Sequence, residues 1–150
     1  MSLEKDIHQT NFRSEHQKLR VNLIFTYNWV MEGARKFYDQ ADLTPQQYNI
    51  LRILRGAAKP LSTLQIRQRM LDKMSDTSRI VDRLIKKDLV KKVVCETDRR
   101  LVDVTITDKG KQLLSSLDET MTEMDEQLNG LTIEESKTLN ELLDKLRKSD

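Results

Sequence analysis

Apolar residues recur at helical spacing in the first quarter of the chain. Leu19, Leu23, Tyr27 and Val30 follow one another at steps of three or four residues. An α-helix turns once every 3.6 residues, so these side chains share one face. The pattern predicts a single long helix over residues 13–38.

A second apolar series begins after Thr107, in the last third of the chain. It advances at alternating steps of three and four residues through Leu114, Leu117, Met121, Met124 and Leu128. This heptad-like spacing is typical of a helix that packs against an apolar partner. We expect one helix from Thr107 to Gly130 and another that begins after Thr132.

Helix-start signals divide the middle of the chain into shorter elements. In residues 44–47 and again in 62–65, Thr or Ser is followed three residues later by Gln, which is the spacing of a capping box. The second of these helices is predicted to end near Met70. After a short turn, Ser75 is placed to cap a further helix that runs to about Lys87. Two short helices joined by a tight turn form a helix-turn-helix.

Two β-prone runs come next, Val90–Val94 and Leu101–Ile106, separated by the polar segment 95–100. The second run alternates apolar and polar residues, as a half-buried strand does. A hairpin directly after a recognition-type helix is a wing. The elements together predict an α+β, mainly helical fold that contains a winged helix-turn-helix.

Charge is distributed unevenly along the 150 residues. The net charge is only +2, but residues 44–112 carry 16 Lys and Arg against 8 Asp and Glu. Residues 1–43 carry 6 of each sign, and residues 113–150 carry 4 basic against 10 acidic residues. A basic middle part favours contact with a polyanion. A solvated, charge-rich helical surface is the alternative interpretation.

Several function classes lack support in the sequence. It contains no Gly-rich phosphate loop and no Ser or Cys nucleophile paired with a base, so we expect no enzyme, no catalytic residues, no cofactor and no bound metal. No apolar run approaches the ~20 residues that span a bilayer. A single cysteine cannot form an internal disulfide. We therefore expect no membrane partner and a reducing, cytoplasmic setting.

The stretch from Ser75 to Gly110 combines motifs of several elements in one order. It contains Ser78-Arg79, Leu89-Val90, Asp98-Arg99-Arg100 and Thr107-Asp108-Lys109-Gly110. Flanked by long terminal helices, this order resembles the MarR family of winged helix-turn-helix transcriptional regulators over nearly the whole chain. The resemblance implies a bacterial repressor that binds double-stranded DNA at a palindromic operator as a homodimer and is released by a small aromatic effector.

The resemblance also implies a division of the chain into three segments. Residues 1–43 would form an N-terminal dimerisation helix, 44–112 the DNA-binding module and 113–150 the C-terminal dimerisation helices. Packing of the apolar stripes within one chain is the alternative to dimerisation. Asp88 stands where the family usually ends its recognition helix with Gly. Because Asp tolerates a left-handed backbone better than most residues, we expect the turn to be retained.

The start of the recognition helix supplies the predicted base contacts, because this end of such a helix enters the major groove first. The predicted residues are Ser75, Asp76, Thr77, Ser78, Arg79 and Arg83. Arg79 and Arg83 share a helical face, and arginine can bind guanine through two hydrogen bonds. Asp76 can accept from cytosine or orient an arginine. The alternative is that both arginines are solvated charges paired with Asp76 or Asp82.

The wing and the neighbouring basic residues supply further predicted DNA contacts. Either Arg99 or Arg100 is placed to enter a narrow minor groove, and Asp98 is expected to hold the other arginine. The predicted phosphate contacts are Ser62, Thr63, Lys86, Lys87, Lys91 and Lys92. Such contacts supply affinity without sequence information.

Three sets of residues are candidates for regulation. The effector pocket is predicted at Tyr27, Trp29 and Met31, with core or dimer packing as the alternative. Cys95 lies at the wing, whereas the peroxide-sensing branch of the family has its cysteine in the first helix. Zinc sensing through His8 and His16 is a further alternative, since acidic residues are near them in sequence. A redox- or metal-responsive regulator and a winged-helix module that binds an acidic protein remain the alternative functions.

Overall fold

The computed structural model describes residues 2–148, which form two compact units. One unit comprises the chain up to residue 35 together with the chain from residue 124 on, and the other comprises residues 36–123. The helices of the described residues are α1 (Leu3–Asp6), α2 (Glu15–Gly33), α3 (Arg35–Asp39), α4 (Pro45–Ala57), α5 (Thr63–Arg69), α6 (Thr77–Lys86), α7 (Asp108–Asp118), α8 (Met121–Glu126) and α9 (Ile133–Arg147). The strands are β1 (Leu61–Ser62), β2 (Val90–Val94) and β3 (Val102–Ile106).

The unit of residues 36–123 contains the helix-turn-helix, formed by α5 and α6. The predicted capping boxes at Thr44 and Ser62 are both present, and each side chain accepts from the amide three residues on. These caps satisfy amides that lack a partner within the helix, and each contributes about 1 kcal/mol. They explain why α4 and α5 begin where the sequence predicts.

A small antiparallel sheet lies beside the helix-turn-helix in the same unit. Its strand order is β1-β3-β2, and Val104 of the central strand is opposite Leu61 on one side and Lys92 on the other. The hairpin of β2 and β3 is the predicted wing. β1 was not predicted, because two residues are too few to show an alternating pattern. Its Ser62 pairs with Asp103 and also caps α5.

Apolar side chains from the helices and the sheet form one core in this unit. The fully buried residues are Ile50, Leu51, Leu54, Leu61, Ile66, Met70, Val81, Leu84, Val90, Val104 and Leu114. Burial of a Val, Leu or Ile side chain contributes roughly 1.5–3 kcal/mol. Because α6 and the wing strands both contribute side chains to this core, the core fixes their positions relative to each other.

Three predicted boundaries are wrong. Asp76, and not Ser75, is the N-cap of α6, because the hydroxyl of Ser75 donates to the carbonyl oxygen of Asp72 instead. The predicted helix over residues 13–38 is interrupted at Ala34. The predicted helix from Thr107 to Gly130 is interrupted after α7, which ends at Asp118.

The other unit exposes much of its apolar surface. Neither the 19 residues of α2 nor the 15 residues of α9 include a buried residue. The side-chain amide of Gln127 donates to the carbonyl oxygen of Trp29 at 2.9 Å, and Lys18 forms an ion pair with Glu4. The predicted fold class, mainly helical with a winged helix-turn-helix, is confirmed. Within residues 2–148, every helix is too short or too polar to span a membrane.

Candidate nucleic-acid interface

The first turn of α6 presents a polar face that its cap holds in place. The carboxylate of Asp76 accepts from the amide of Arg79 at 3.2 Å. Ser78, Arg79 and Arg83 are exposed, whereas Thr77 is buried. Thr77 therefore lies on the buried side of α6 and not on the exposed face predicted for it. Its hydroxyl has no hydrogen-bond partner among the described residues.

The two arginines of α6 carry no ion pair within residues 2–148. Asp76 is occupied by its capping bond, and Asp82 pairs with Lys92 at 3.2 Å. The alternative that Arg79 and Arg83 are paired with these carboxylates is therefore wrong. Both guanidinium groups are exposed and available to an external acceptor.

The turn that precedes α6 is fixed by several hydrogen bonds. Asp72 accepts from the amide of Met74 at 3.0 Å through its side chain and from the hydroxyl of Ser75 at 2.6 Å through its carbonyl. On the other side, the amide of Leu71 donates to the side chain of Asn49 at 2.9 Å. The turn thus holds the start of the recognition helix against α4.

The end of α6 has the predicted left-handed residue. Asp88 has a φ of 58°, which confirms that the turn is retained without glycine. The hydroxyl of Thr107 donates to the carbonyl oxygen of Asp88, and the amide of Thr107 donates to the carbonyl of Leu89. Gly110 lies so close to the same carbonyl of Leu89 that a Cβ atom would overlap it. The Thr-x-x-Gly sequence therefore joins the end of α6 to the start of α7.

The wing has a tight polar tip. The amide of Leu101 donates to the carbonyl of Asp98 at 2.9 Å, and the amide of Arg100 donates to its side chain at 2.9 Å. Asp98 therefore shapes the turn and does not hold an arginine side chain as predicted. The side chains of Arg99 and Arg100 are exposed, and in the described part of the chain neither forms an ion pair.

The residues predicted to contact phosphate fall into three groups. Lys86 and Lys91 are exposed and have no ion-pair partner in the described range. Lys87 pairs with Asp42 at 3.2 Å, and Lys92 pairs with Asp82. Ser62 and Thr63 lie half-buried at the start of α5, where the hydroxyl of Ser62 is the cap. Only the first group offers lysines free of a competing carboxylate.

Sequence reasoning missed three exposed apolar residues around the helix-turn-helix. Leu64, Leu71 and Met74 are 63%, 87% and 93% exposed. An open groove of about 460 Å³ lies between α5 and the start of α6, and Leu64 and Met74 are among its lining residues. The signal was present in the sequence, since Leu71 and Met74 interrupt a turn that is otherwise polar.

An ion pair joins α4 and α7. Two nitrogens of Arg55 donate to the two carboxylate oxygens of Asp118, at 2.6 and 3.1 Å. These hydrogen bonds hold the pKa of Asp118 below its usual value of 3.8, and they raise the pKa of Arg55. The pair is partly exposed, so its contribution to stability is modest.

The residues predicted for regulation lie in several parts of the chain. Tyr27 and Trp29 of α2 are exposed, and Met31 is half-buried. The thiol of Cys95 lies half-buried, 3.2 Å from the hydroxyl of Thr97. Among residues 2–148, no three side chains of His, Cys, Asp or Glu are grouped as a metal site would require. His8 has a left-handed backbone with a φ of 53°.

Known proteins share both sequence and fold with this chain. The model of the MarR family matches residues 41–101. The HTH-type transcriptional regulator MhqR of Bacillus subtilis is 29% identical over 128 residues, which cover 84% of this chain and 87% of MhqR. The crystal structure of a MarR transcription factor from Planctomyces limnophilus is 33% identical, with a TM-score of 0.66 over 89% of this chain and 98% of that one.

A second similar structure contains DNA. It is that of a mutant MarR from E. coli complexed with operator DNA. It is 21% identical, has a TM-score of 0.82, and the match covers 93% of this chain and all of that one. At this identity the likeness shows the shared winged helix-turn-helix fold.

Proposed function

Because this chain belongs to the MarR family of transcriptional regulators, we propose that it is a sequence-specific DNA-binding repressor that acts as a homodimer in the cytoplasm. The observation that carries the proposal is the face of α6, where the exposed Arg79 and Arg83 have no carboxylate partner in residues 2–148. Helices of this kind read bases in the major groove, and arginine is the side chain best suited to guanine.

The wing supports the same proposal. Its tip carries Arg99 and Arg100 on a turn closed by Asp98, so one arginine can enter a minor groove while α6 occupies the major groove. Lys86 belongs to α6 and Lys91 to β2 of the wing, and both are suited to contact phosphate. The mutant MarR structure of E. coli is complexed with operator DNA, which is the kind of ligand we propose here.

A fluorescence anisotropy titration tests the proposal. The probes are a duplex from upstream of the protein's own gene and a scrambled duplex of the same composition, each at two salt concentrations. We expect tighter binding to the native duplex and a strong loss of affinity with salt. Equal, weak binding to both duplexes would contradict a specific regulator of this site and would favour the alternative of a module that binds an acidic protein.

Variants of α6 test the assignment of the reading residues. Arg79→Ala and Arg83→Ala are each expected to lower specific affinity by ~1–3 kcal/mol and to relax sequence preference. Arg13→Ala is the matched control, because it removes an exposed arginine of the other unit that lies outside α2 and α9 and has no ion-pair partner in residues 2–148. Unchanged sequence preference in both α6 variants would contradict the assignment.

The proposed dimer rests on the apolar surface of the unit of α2 and α9. Of the 17 exposed large apolar residues in the described chain, 11 belong to this unit. A concentration of exposed apolar residues in one unit is typical of an interface, and most oligomers pair identical copies. A second copy of the chain would cover most of this surface, and the dimer would carry two recognition helices, as a palindromic operator requires.

Release by a small aromatic compound is the remaining part of the proposal. It is supported by the exposed rings of Tyr27 and Trp29 on α2. Trp29 is the single tryptophan of the chain, so its fluorescence reports directly on a ligand at this place. Titration with a series of phenolic acids should quench the fluorescence at the concentrations that release DNA. DNA release without a change in Trp29 emission would contradict these residues as the effector site.

A further inference from the structure

Two apolar side chains beside the start of α6 are largely exposed. Leu64, on the first turn of α5, is 63% exposed, and Met74, two residues before the cap of α6, is 93% exposed. Both line the open groove between α5 and α6. The rest of its lining is polar or small, with Thr63, Arg67, Ser75, Asp76, Thr77 and Ser78. Burial of a large apolar side chain is favourable, so a ligand that covers these two side chains gains affinity.

The position of the groove indicates what covers these side chains. It is continuous with the start of α6, because Asp76 and Ser78 line it together with Met74. A duplex that accepts α6 in its major groove therefore presents its base edges to this groove. The major groove displays one apolar group among its hydrogen-bonding edges, the 5-methyl group of thymine.

The backbone around Met74 is held firmly enough to direct its side chain. The amide of Met74 donates to the carboxylate of Asp72 at 3.0 Å, and Gln46 of α4 donates to the same carboxylate at 3.4 Å. Lys73 is also tied down, since its ammonium group donates to the carbonyl of Gln68 at 2.5 Å. A flexible methionine side chain on a fixed backbone can adapt to a methyl group within a limited range of positions.

We propose that Met74 and Leu64 pack against the 5-methyl group of a thymine in the major groove and so help to determine sequence specificity. This proposal rests on the proposed function, since it requires α6 to enter the major groove. It adds an apolar discrimination between thymine and cytosine to the guanine readout assigned to the arginines. Asp72 acts as a positioning residue, because it fixes the turn that carries Met74.

Uracil substitution isolates the methyl group. A duplex is first selected from a random pool by the full-length protein, and each thymine of one half-site is then replaced in turn by deoxyuridine, which removes only the 5-methyl group. For one position we expect the affinity of the wild-type protein to fall about fourfold, the change equivalent to ~0.8 kcal/mol for one buried methyl group. Met74→Ala and Leu64→Ala should bind the unmodified duplex more weakly and should lose most of this response to uracil.

Leu71→Ala is the matched control, because Leu71 is 87% exposed in the same turn but does not line the groove. It should retain the full response to uracil. If no uracil substitution affects the wild-type protein, or if Met74→Ala and Leu64→Ala respond as the wild type does, the inference is overturned. Failure of the proposed function looks different, because the wild-type protein would then fail to prefer the selected duplex over a scrambled one.

Discussion

The hydroxyl of Thr107 donates a hydrogen bond to the carbonyl oxygen of Asp88 at 2.7 Å, and the same hydroxyl accepts from the amide of Gly110 at 3.1 Å. One side chain thus caps α7 and satisfies the carbonyl of the left-handed residue that follows the recognition helix. The orientation of α6 relative to α7 depends on this contact.

Thr107→Val is expected to lower the free energy of unfolding by about 1–2 kcal/mol, because it removes the cap while keeping the shape of the side chain. Urea denaturation at fixed protein concentration measures the change. Thr107→Ser keeps the hydroxyl and should stay within ~0.5 kcal/mol of the wild type. A valine variant as stable as the serine variant would show that the hydroxyl contributes nothing.

Gly110→Ala should destabilise the protein by about 2 kcal/mol, since the new methyl group would overlap the carbonyl of Leu89 and the side chain of Ile106. Gly56→Ala is the matched control, because nothing lies within 4 Å of a Cβ at Gly56 inside α4. There alanine should stabilise by ~0.5–1 kcal/mol through its helix propensity. Thermal unfolding should show a lower midpoint temperature for Gly110→Ala and a higher one for Gly56→Ala. Midpoints that shift in the same direction would contradict the packing at Gly110.

Stability should depend on pH through Asp118. Its pKa in the folded protein is lowered by Arg55, so the contribution of the pair is present above the ordinary value of 3.8 and is lost as the pH falls through the lower folded value. Asp118→Asn should cost at most ~1 kcal/mol at neutral pH, because the pair is partly exposed. Denaturation curves of the two proteins should converge in acid. A difference that stays constant as the pH falls would contradict this linkage.

Leu142→Glu should dissociate the proposed homodimer, because it places a charge in the exposed apolar surface of α9, where Leu142 is 57% exposed. Sedimentation velocity should show a shift toward monomer. Asn140→Glu introduces the same charge at an exposed polar position of the same helix and should leave the dimer intact. Equal behaviour of the two variants would indicate that this face lies outside the interface.

Lys91 and Lys92 should differ in their effect on the salt dependence of DNA binding. Lys91→Gln is expected to reduce the slope of log affinity against log salt by about 1, as for the loss of one phosphate contact. Lys92 already pairs with Asp82, so Lys92→Gln should reduce the slope less. Anisotropy titrations across a salt series measure both slopes, and the reverse order would contradict the assignment of free and paired lysines.

Local signals in the sequence predicted much of the fold because the relevant contacts span three or four residues. The cap at Thr44 and the one at Thr132 are formed as predicted, since each needs only a side chain and an amide within one turn. The left-handed Asp88 was predicted from the resemblance to the MarR family together with the tolerance of Asp for this conformation. Of the wing strands, β3 was predicted from its alternation of apolar and polar residues and β2 from its β-prone residues.

Other features depend on the backbone geometry of a turn or on the packing of whole elements and could not be predicted in this way. Ser75 and Asp76 are equally good caps by residue type, and the choice of Asp76 follows from the bond that Ser75 makes to Asp72. Asp98 was expected to hold an arginine, but the backbone geometry of the tip turns its carboxylate to an amide. The open groove beside Met74 exists only once α5 and α6 are packed together.

Ser62 belongs to two elements at once, since it is paired with Asp103 in the sheet and caps α5. No loop separates β1 from α5. The strand that pairs with β3 of the wing therefore continues directly into the first helix of the helix-turn-helix. The wing and α5 are therefore joined through one residue, without a flexible segment between them. In the proposed complex with DNA, the protein then fixes the distance between the major groove that accepts α6 and the minor groove that accepts the wing. One base pair inserted between the two contacts would put one of them out of reach.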